Sequence, residues 1–199
     1  MNIFLLDSVR TLWGDWSEAL EYGLIGRNEK TDAKSIERSG PYTPPAYLCW
    51  DFLIFTQPIK EKFEVSNLKG IGSFDYLEKT HIVELDWKKW DLTKDIAYHI
   101  ELDGEPEDLI TSRPHNESLA NSMPEYWLAS IETALSVSVS RNNLDKEPSE
   151  YLQIIKADPA IDFFQGDEYT GYFVSQRAKD WLEHHCPGCF TFSLIPFAN

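Results

Sequence analysis

Cysteine and histidine side chains that could bind a metal ion lie close together near the end of the chain, where residues 184–189 read His-His-Cys-Pro-Gly-Cys. Thiolates and imidazoles at this spacing can share a zinc ion, but a structural zinc site needs four such ligands. The sequence holds no second C-x-x-C pair, and Cys49 is distant along the chain. We therefore expect no metal site and no cofactor here, and interpret Pro187-Gly188 as a turn.

A redox role for Cys186 and Cys189 meets a geometric objection. A C-x-x-C pair has a lowered thiol pKa where it begins a helix, because the positive end of the helix dipole favours the thiolate. This pair instead follows a helix that starts at Ser175, a good N-cap residue. The sequence predicts a helix over 175–185 and a strand over 190–195, joined by the turn that carries the cysteines.

The pattern His115-x-Glu117, taken with Cys186 and Cys189, is similar to the H-x-E…P-C-x-x-C signature of zinc deaminases. In those enzymes the histidine and two cysteines hold the ion, and the glutamate moves protons. Here a histidine replaces the proline before the first cysteine, and the pair ends a helix instead of beginning one. A small zinc-dependent enzyme using these four residues is the alternative function, and solvated loop residues are the favoured interpretation of His115 and Glu117.

Other catalytic patterns are missing from the sequence. Gly70-Ile71-Gly72 begins like a phosphate-binding loop, but it lacks the third glycine and the Lys-Ser/Thr pair, so we expect a turn. The sequence contains no G-x-S-x-G, H-E-x-x-H or EF-hand pattern. We predict that the protein has no catalytic residues and is not an enzyme.

Charge is the most unusual property of this chain. Its 199 residues include 18 basic and 33 acidic side chains, which gives a net charge of −15. Residues 1–100 carry a net charge of −4, and residues 101–199 carry −11. Such a protein repels phosphate backbones, so nucleic acid is not an expected partner. No stretch approaches the roughly 18 apolar residues of a membrane span, so a membrane is not expected either.

Carboxylates cluster in two segments that we predict to bind a basic partner protein. A charge run is usually only a solvated face, but a chain-wide excess destabilises the fold by self-repulsion unless a basic partner compensates it. The Trp87-Lys88-Lys89-Trp90 segment is a further contact candidate, because its lysines keep it near water and tryptophans anchor many interfaces. The predicted partner-binding residues are Glu101, Asp103, Glu105, Glu107, Asp108, Asp158, Asp162, Asp167, Glu168, Trp87 and Trp90.

The hydrophobic pattern predicts an α+β fold with mixed or antiparallel sheets and a few helices, arranged as two lobes. An aromatic-rich, β-containing lobe over 1–102 precedes an acidic α+β lobe over 103–199. Predicted strands cover 47–55, 80–87, 96–102, 136–140 and 151–156, a helix covers 125–135, and a solvated loop or short helix covers 23–39.

The C-terminal third resembles a known group of proteins. The run from Gly171 to His185 contains Val174-Ser175 before a helix, and Gly188-Cys189-Phe190 then leads into a Phe-containing strand. This ending resembles that of immunity proteins of bacterial polymorphic-toxin systems, including contact-dependent and type VI secretion. The resemblance implies an intracellular α+β protein that binds and neutralises a cognate toxin.

Compartment is inferred from the N-terminus and the cysteines. The segment 1–7 has no basic region and only a short apolar run, so we expect no signal peptide. Three cysteines, an odd number, argue against a disulfide framework. We expect a cytoplasmic toxin inhibitor, an antitoxin against a basic nuclease. A non-inhibitory protein-binding adaptor is a further alternative, and the oligomeric state stays open.

Overall fold

The computed structural model describes residues 1–9, 23–91, 93–94, 96–100, 104, 106–140, 144 and 146–198. Within these residues the chain folds into two six-stranded mixed sheets with short helices, which confirms the predicted α+β class. None of the helices in this part of the chain has the length and apolar character needed to cross a membrane.

The elements run in chain order as follows. The strands are β1 (Ile3–Ser8), β2 (Leu24–Arg27), β3 (Lys34–Gly40), β4 (Ala46–Cys49), β5 (Phe52–Thr56), β6 (Ile71–Glu84), β7 (Tyr126–Ile131), β8 (Ala134–Val139), β9 (Leu152–Lys156), β10 (Phe163–Gly166), β11 (Tyr172–Ser175) and β12 (Phe190–Ile195). The helices are α1 (Gln57–Glu64), α2 (Ile96–His99), α3 (Pro106–Ser112), α4 (Glu117–Ser122), α5 (Pro148–Tyr151) and α6 (Gln176–His185).

The chain divides into two compact units, each assembled from separate stretches of sequence. Unit 1 comprises residues 1–9, 58–74 and 129–199, and unit 2 comprises residues 10–57 and 75–128. This division differs from the predicted lobes 1–102 and 103–199. Non-local strand pairing is the reason, because β1 pairs with β11 and β12, which lie more than 160 residues later in the chain.

The sheet of unit 1 has the strand order β12-β1-β11-β10-β8-β9 and is curled. Its two outer strands are linked, because the N–H of Ile154 in β9 donates to Pro196 O at 2.9 Å and Ala198 N–H donates back to Ile154 O at 2.9 Å. The core of this unit includes Leu5, Phe164 and Phe173, which are at most 5 % exposed. Both backbone groups of Ile154 are thereby paired with the segment that follows β12.

The predicted C-terminal helix and strand are confirmed as α6 and β12. The Ser175 hydroxyl accepts a hydrogen bond from Ala178 N–H at 3.2 Å, which caps the first turn of α6. Ala178 and Leu182 lie on the buried face of the helix. Local signals sufficed here because the N-cap, the apolar spacing and the Gly188 turn, with φ +73°, all favour the same structure.

The second sheet has the order β2-β3-β6-β7-β5-β4, with β3 parallel to β6. Its core includes Ile36, Tyr47, Ile54 and Tyr126, each at most 1 % exposed. The segment 23–39, predicted as a solvated loop or short helix, instead forms β2 and β3. Ile36 is the one large apolar side chain of β3, and the charged Arg38 is buried beside polar Ser35 and Ser39, so the strand carries no apolar periodicity from which it could be predicted.

Three further element predictions are wrong. The segment 47–55 is a hairpin of β4 and β5, because Trp50 turns the chain with φ +53°. The segment 96–102 begins with helix α2, and its last residues lie outside the described part of the chain. The segment 125–135 forms β7 and the start of β8. Its buried residues Tyr126, Leu128, Ala129 and Ile131 do not alternate strictly, and short apolar runs of this kind do not by themselves distinguish a strand from a helix.

The remaining strand predictions agree with the structure in place but not in length. The strand predicted over 80–87 is the end of the longer β6, and the strands predicted over 136–140 and 151–156 overlap β8 and β9. The turn predicted at Gly70-Ile71-Gly72 is present only at Gly70, because Ile71 and Gly72 begin β6. Gly70 has φ +114°, and a Cβ on it would lie 2.1 Å from Phe163 O. Gly70 therefore permits the backbone of unit 1 to pass close to β10.

Candidate functional site

Cys186 and Cys189 are both buried, and their hydrogen bonds belong to the end of α6 and the turn that follows it. Cys186 and Cys189 are 1 % and 8 % exposed, and neither forms a disulfide bond. Cys186 follows the last turn of α6, where its N–H donates to Leu182 O at 2.7 Å, and Cys189 N–H donates to Cys186 O at 3.2 Å. Burial raises the pKa of the Cys186 thiol to about 12. The reactive thiolate form is therefore suppressed at neutral pH.

The buried thiols make a testable prediction. We expect Cys186 and Cys189 to stay unmodified by a thiol reagent at pH 7.5 until the protein unfolds, because burial opposes both access and ionisation. The exposed variant Ser149→Cys supplies a reference thiol that should react within minutes. Rapid labelling of either native cysteine, detected by mass spectrometry, or stoichiometric zinc in the purified protein would contradict this assignment.

His115 and Glu117 do approach each other, at a cleft in unit 2. The ring nitrogen Nδ1 of His115 accepts the N–H of Ile82 at 2.9 Å, so Nδ1 carries no proton. The proton is then on Nε2, which donates to Glu117 Oε2 at 3.2 Å. Both nitrogens are engaged in hydrogen bonds, which leaves no free lone pair on the ring for a metal ion.

The surrounding cleft has a volume of about 430 Å³ and is lined by Glu84, Arg113, Pro114, His115, Asn116 and Glu117. Asn116 caps α4 by accepting Leu119 N–H at 3.0 Å, and its amide donates to Glu84 Oε2 at 3.3 Å. These polar groups therefore form hydrogen bonds mainly within the protein. In the described part of the chain no three His, Cys, Asp or Glu side chains are grouped to hold a metal ion.

The first acidic segment is described only in part. Glu101, Asp103 and Glu105 lie outside the described residues, whereas Glu107 and Asp108 occupy the first turn of α3. Glu107 is half-buried and Asp108 is exposed. Carboxylates at this end of a helix are stabilised by the helix dipole, so both residues also have a structural role.

The second acidic segment contains one buried and three exposed carboxylates. Asp158, Asp167 and Glu168 are exposed, but Asp162 is only 2 % exposed and binds Ser175 Oγ at 2.6 Å. Asp167 accepts the N–H groups of Val137 and Glu168, and these bonds lower the pKa of its carboxyl group. Asp162 is therefore a core residue and offers no surface to a partner.

The tryptophans predicted at the interface are mostly enclosed. Trp87 is 6 % exposed and packs edge-to-face on Tyr42, with ring centroids 5.0 Å apart. Trp90 is half-buried against a small cluster that includes Leu109, and its indole stacks on His99 at 5.1 Å. The lysines between the two tryptophans keep the backbone of this segment near water, but the indole side chains themselves are mostly enclosed.

The fold redistributes the charge. Unit 2 contains 20 acidic and 10 basic residues, a net charge of −10, while unit 1 contains 13 acidic and 8 basic residues, a net charge of −5. The first acidic segment thus joins the N-terminal acidic residues in one unit. Sequence halves could not reveal this, because unit 2 takes residues from both of them.

The exposure of Trp50 was not predicted from the sequence. Trp50 is 62 % exposed at the tip of the β4–β5 hairpin, where the sequence predicts a continuous buried strand. The available signal was the Trp50-Asp51 pair, which interrupts the apolar run between Cys49 and Phe52.

Comparisons of the chain with protein-family models, with curated proteins and with solved structures find no match. The function is therefore inferred from the chain's own residues.

Proposed function

We propose that this chain is a cytoplasmic immunity protein that binds a basic toxin and blocks its active surface. A nuclease delivered by a contact-dependent or type VI secretion system is the target that fits the charge best. The observation that supports the proposal is the twofold excess of carboxylates over cations in unit 2. Complementary charge accelerates association and selects a basic partner over a neutral one.

The cations of unit 2 cannot neutralise this excess internally. Arg27, Lys34, Lys79 and Lys89 already pair with nearby carboxylates at 2.6–3.2 Å. A fifth cation, Arg38, is fully buried, so its charged group is not available at the surface. The surface of this unit therefore stays strongly negative in the free protein.

The proposed mechanism is occlusion. Carboxylates of the two acidic segments take the positions of nucleic-acid phosphates and bind the lysines and arginines of the toxin. The exposed members available for this role among the described residues are Asp108, Asp158, Asp167 and Glu168, with half-buried Glu107 beside them. Buried Asp162 and Trp87 are not part of the proposed contact surface.

The decisive experiment uses as partner the product of the adjacent reading frame, which the proposal expects to be a basic protein. We expect the purified chain to bind it, to inhibit its activity at equimolar ratio, and to bind more weakly as salt rises, because exposed charges are screened. Replacing Glu101, Glu105 and Glu107 by Gln and Asp103 by Asn should weaken binding at least about tenfold and flatten the salt dependence. Affinity is measured by calorimetry at two ionic strengths.

A matched control removes four charges elsewhere. Glu147, Glu150 and Glu183 changed to Gln, with Asp180→Asn, alter the net charge equally but lie in unit 1. This variant should bind within about threefold of the wild type. Equal losses of affinity in both variants would show that net charge, and not a local contact, determines binding. A complex that forms without inhibiting the partner would indicate a non-inhibitory adaptor.

A further inference from the structure

The β4–β5 hairpin ends in a residue that the turn geometry disfavours. Cys49 pairs with Phe52, so Trp50 and Asp51 form a two-residue loop. Trp50 has φ +53°, and Asp51 is not among the residues with positive φ. Only the first loop residue is therefore left-handed, as in a type II′ turn, where glycine is the favoured residue. A tryptophan at this position costs free energy relative to glycine.

The side chain of Trp50 makes few contacts within the unit that could offset this free-energy cost. Its indole is 62 % exposed, the neighbouring Phe52 is 39 % exposed, and Asp51 between them is exposed as well. Among the described residues, no ring, cation or hydrogen-bonding group is a partner of the indole. By contrast, Trp87 in the same unit is 6 % exposed. Trp50 thus combines a strained backbone with an exposed apolar surface.

The base of the hairpin is rigid. Cys49, Leu53 and Ile54 are at most 1 % exposed, and the Cys49 thiol contacts Gly23 O at 3.2 Å. Thr56 on the same hairpin donates its N–H to Pro45 O at 3.0 Å. A tip held in this way is presented in one orientation, which lowers the entropic cost of binding.

We propose that Trp50, with Phe52 beside it, is the anchor by which unit 2 inserts into an apolar cleft of a basic partner protein. This inference rests on the proposed function and names the contact that charge alone does not supply. Tryptophan is enriched among the few residues that carry most of the binding free energy at interfaces. The charge of unit 2, −10, and Asp51 at the tip require a cleft bordered by lysine or arginine side chains. Those cations can also pack on the indole face.

The test separates stability from affinity with one substitution. Trp50→Gly should leave the melting temperature unchanged or raise it, because glycine suits the left-handed turn. The same change should weaken binding to the neighbouring-gene protein about 100-fold, mainly through faster dissociation. Phe52→Ser should weaken binding less. The control Tyr98→Ser removes an aromatic residue of 72 % exposure from α2 of the same unit and should bind within about twofold of the wild type.

Each outcome decides the matter. Wild-type affinity in Trp50→Gly, with the complex otherwise intact, would overturn the anchor and leave the proposed function standing. A wild-type protein that forms no complex overturns both. A lower melting temperature in Trp50→Gly would show that the indole stabilises the fold, and would also overturn the proposal. If the wild-type protein is a dimer and Trp50→Gly is a monomer, the hairpin tip binds a second copy of this chain instead, and the proposal is overturned.

Discussion

Replacing Arg38 by Met is expected to lower the free energy of unfolding by about 3–4 kcal/mol, since two buried acceptors and one part-buried acceptor lose their donor. The guanidinium is 0 % exposed in the core of unit 2. Its Nε donates to Ser39 O at 2.9 Å, and its two terminal nitrogens donate to Tyr47 Oη at 3.0 Å and Tyr42 O at 2.7 Å. The cation also lies 5.4 Å from the ring centroids of Tyr47 and Tyr126.

Charge alone does not explain this site. Burial acts to lower the pKa of Arg38, but the interactions with Tyr126 and Tyr47 raise it by a larger amount. The pKa therefore lies above its ordinary value, and the side chain stays charged. Arg38→Lys should therefore destabilise nearly as much as Met, because one ammonium cannot reproduce the planar fork that reaches all three oxygens. Tyr47→Phe removes one acceptor and should cost only about 1 kcal/mol.

Denaturant unfolding followed by circular dichroism measures these differences. Arg27→Met is the matched control, because the Arg27 side chain is 64 % exposed and its pair with Asp32 is a surface contact. That variant should change stability by less than about 1 kcal/mol. Equal effects at Arg27 and Arg38 would show that the buried network contributes nothing specific.

Asp162→Ala is expected to destabilise unit 1 by about 3 kcal/mol, although sequence alone places Asp162 in an acidic contact surface. Its carboxylate accepts Ser175 Oγ at 2.6 Å and Lys69 N–H at 3.0 Å, and Arg177 lies 3.8 Å away. Ser175 in turn caps α6 through Ala178. Removing the carboxylate leaves the buried Ser175 hydroxyl and the part-buried Lys69 N–H without this acceptor and loosens the cap.

A graded series tests the geometry of this site. Asp162→Asn should cost only about 1 kcal/mol, because its amide can donate to Ser175 Oγ while its oxygen still accepts Lys69 N–H. Asp158→Ala is the control, since that exposed carboxylate accepts a single local hydrogen bond within the described residues, from Ala160 N–H, and its loss should change stability by about 0.5 kcal/mol. Chemical denaturation at pH 7 measures all three. A larger effect at Asp158 than at Asp162 would be inconsistent with the buried network.

The sequence by itself determined the features that neighbouring residues decide. Ser175, the apolar spacing of α6 and the Gly188 turn lie within a few residues of one another, so the helix and β12 could be predicted with their bounds. The α+β class and the net charge of −15 also follow from the residues alone. The role of the cysteine turn as a connector belongs to the same group.

Only the tertiary structure decided which segments belong to one unit. The pairing of β1 with β11 and β12 builds unit 1 from both ends of the chain, while the pairing of β3 with β6 joins separate segments in unit 2, which contains both Trp50 and the acidic segment 101–108. Asp162 and Asp158 have the same side chain four residues apart, yet one is buried in a hydrogen-bonded network and the other faces water. Burial is a property of the packed chain, so residue type and local spacing could not distinguish a core carboxylate from a surface one, nor a buried Trp87 from an exposed Trp50.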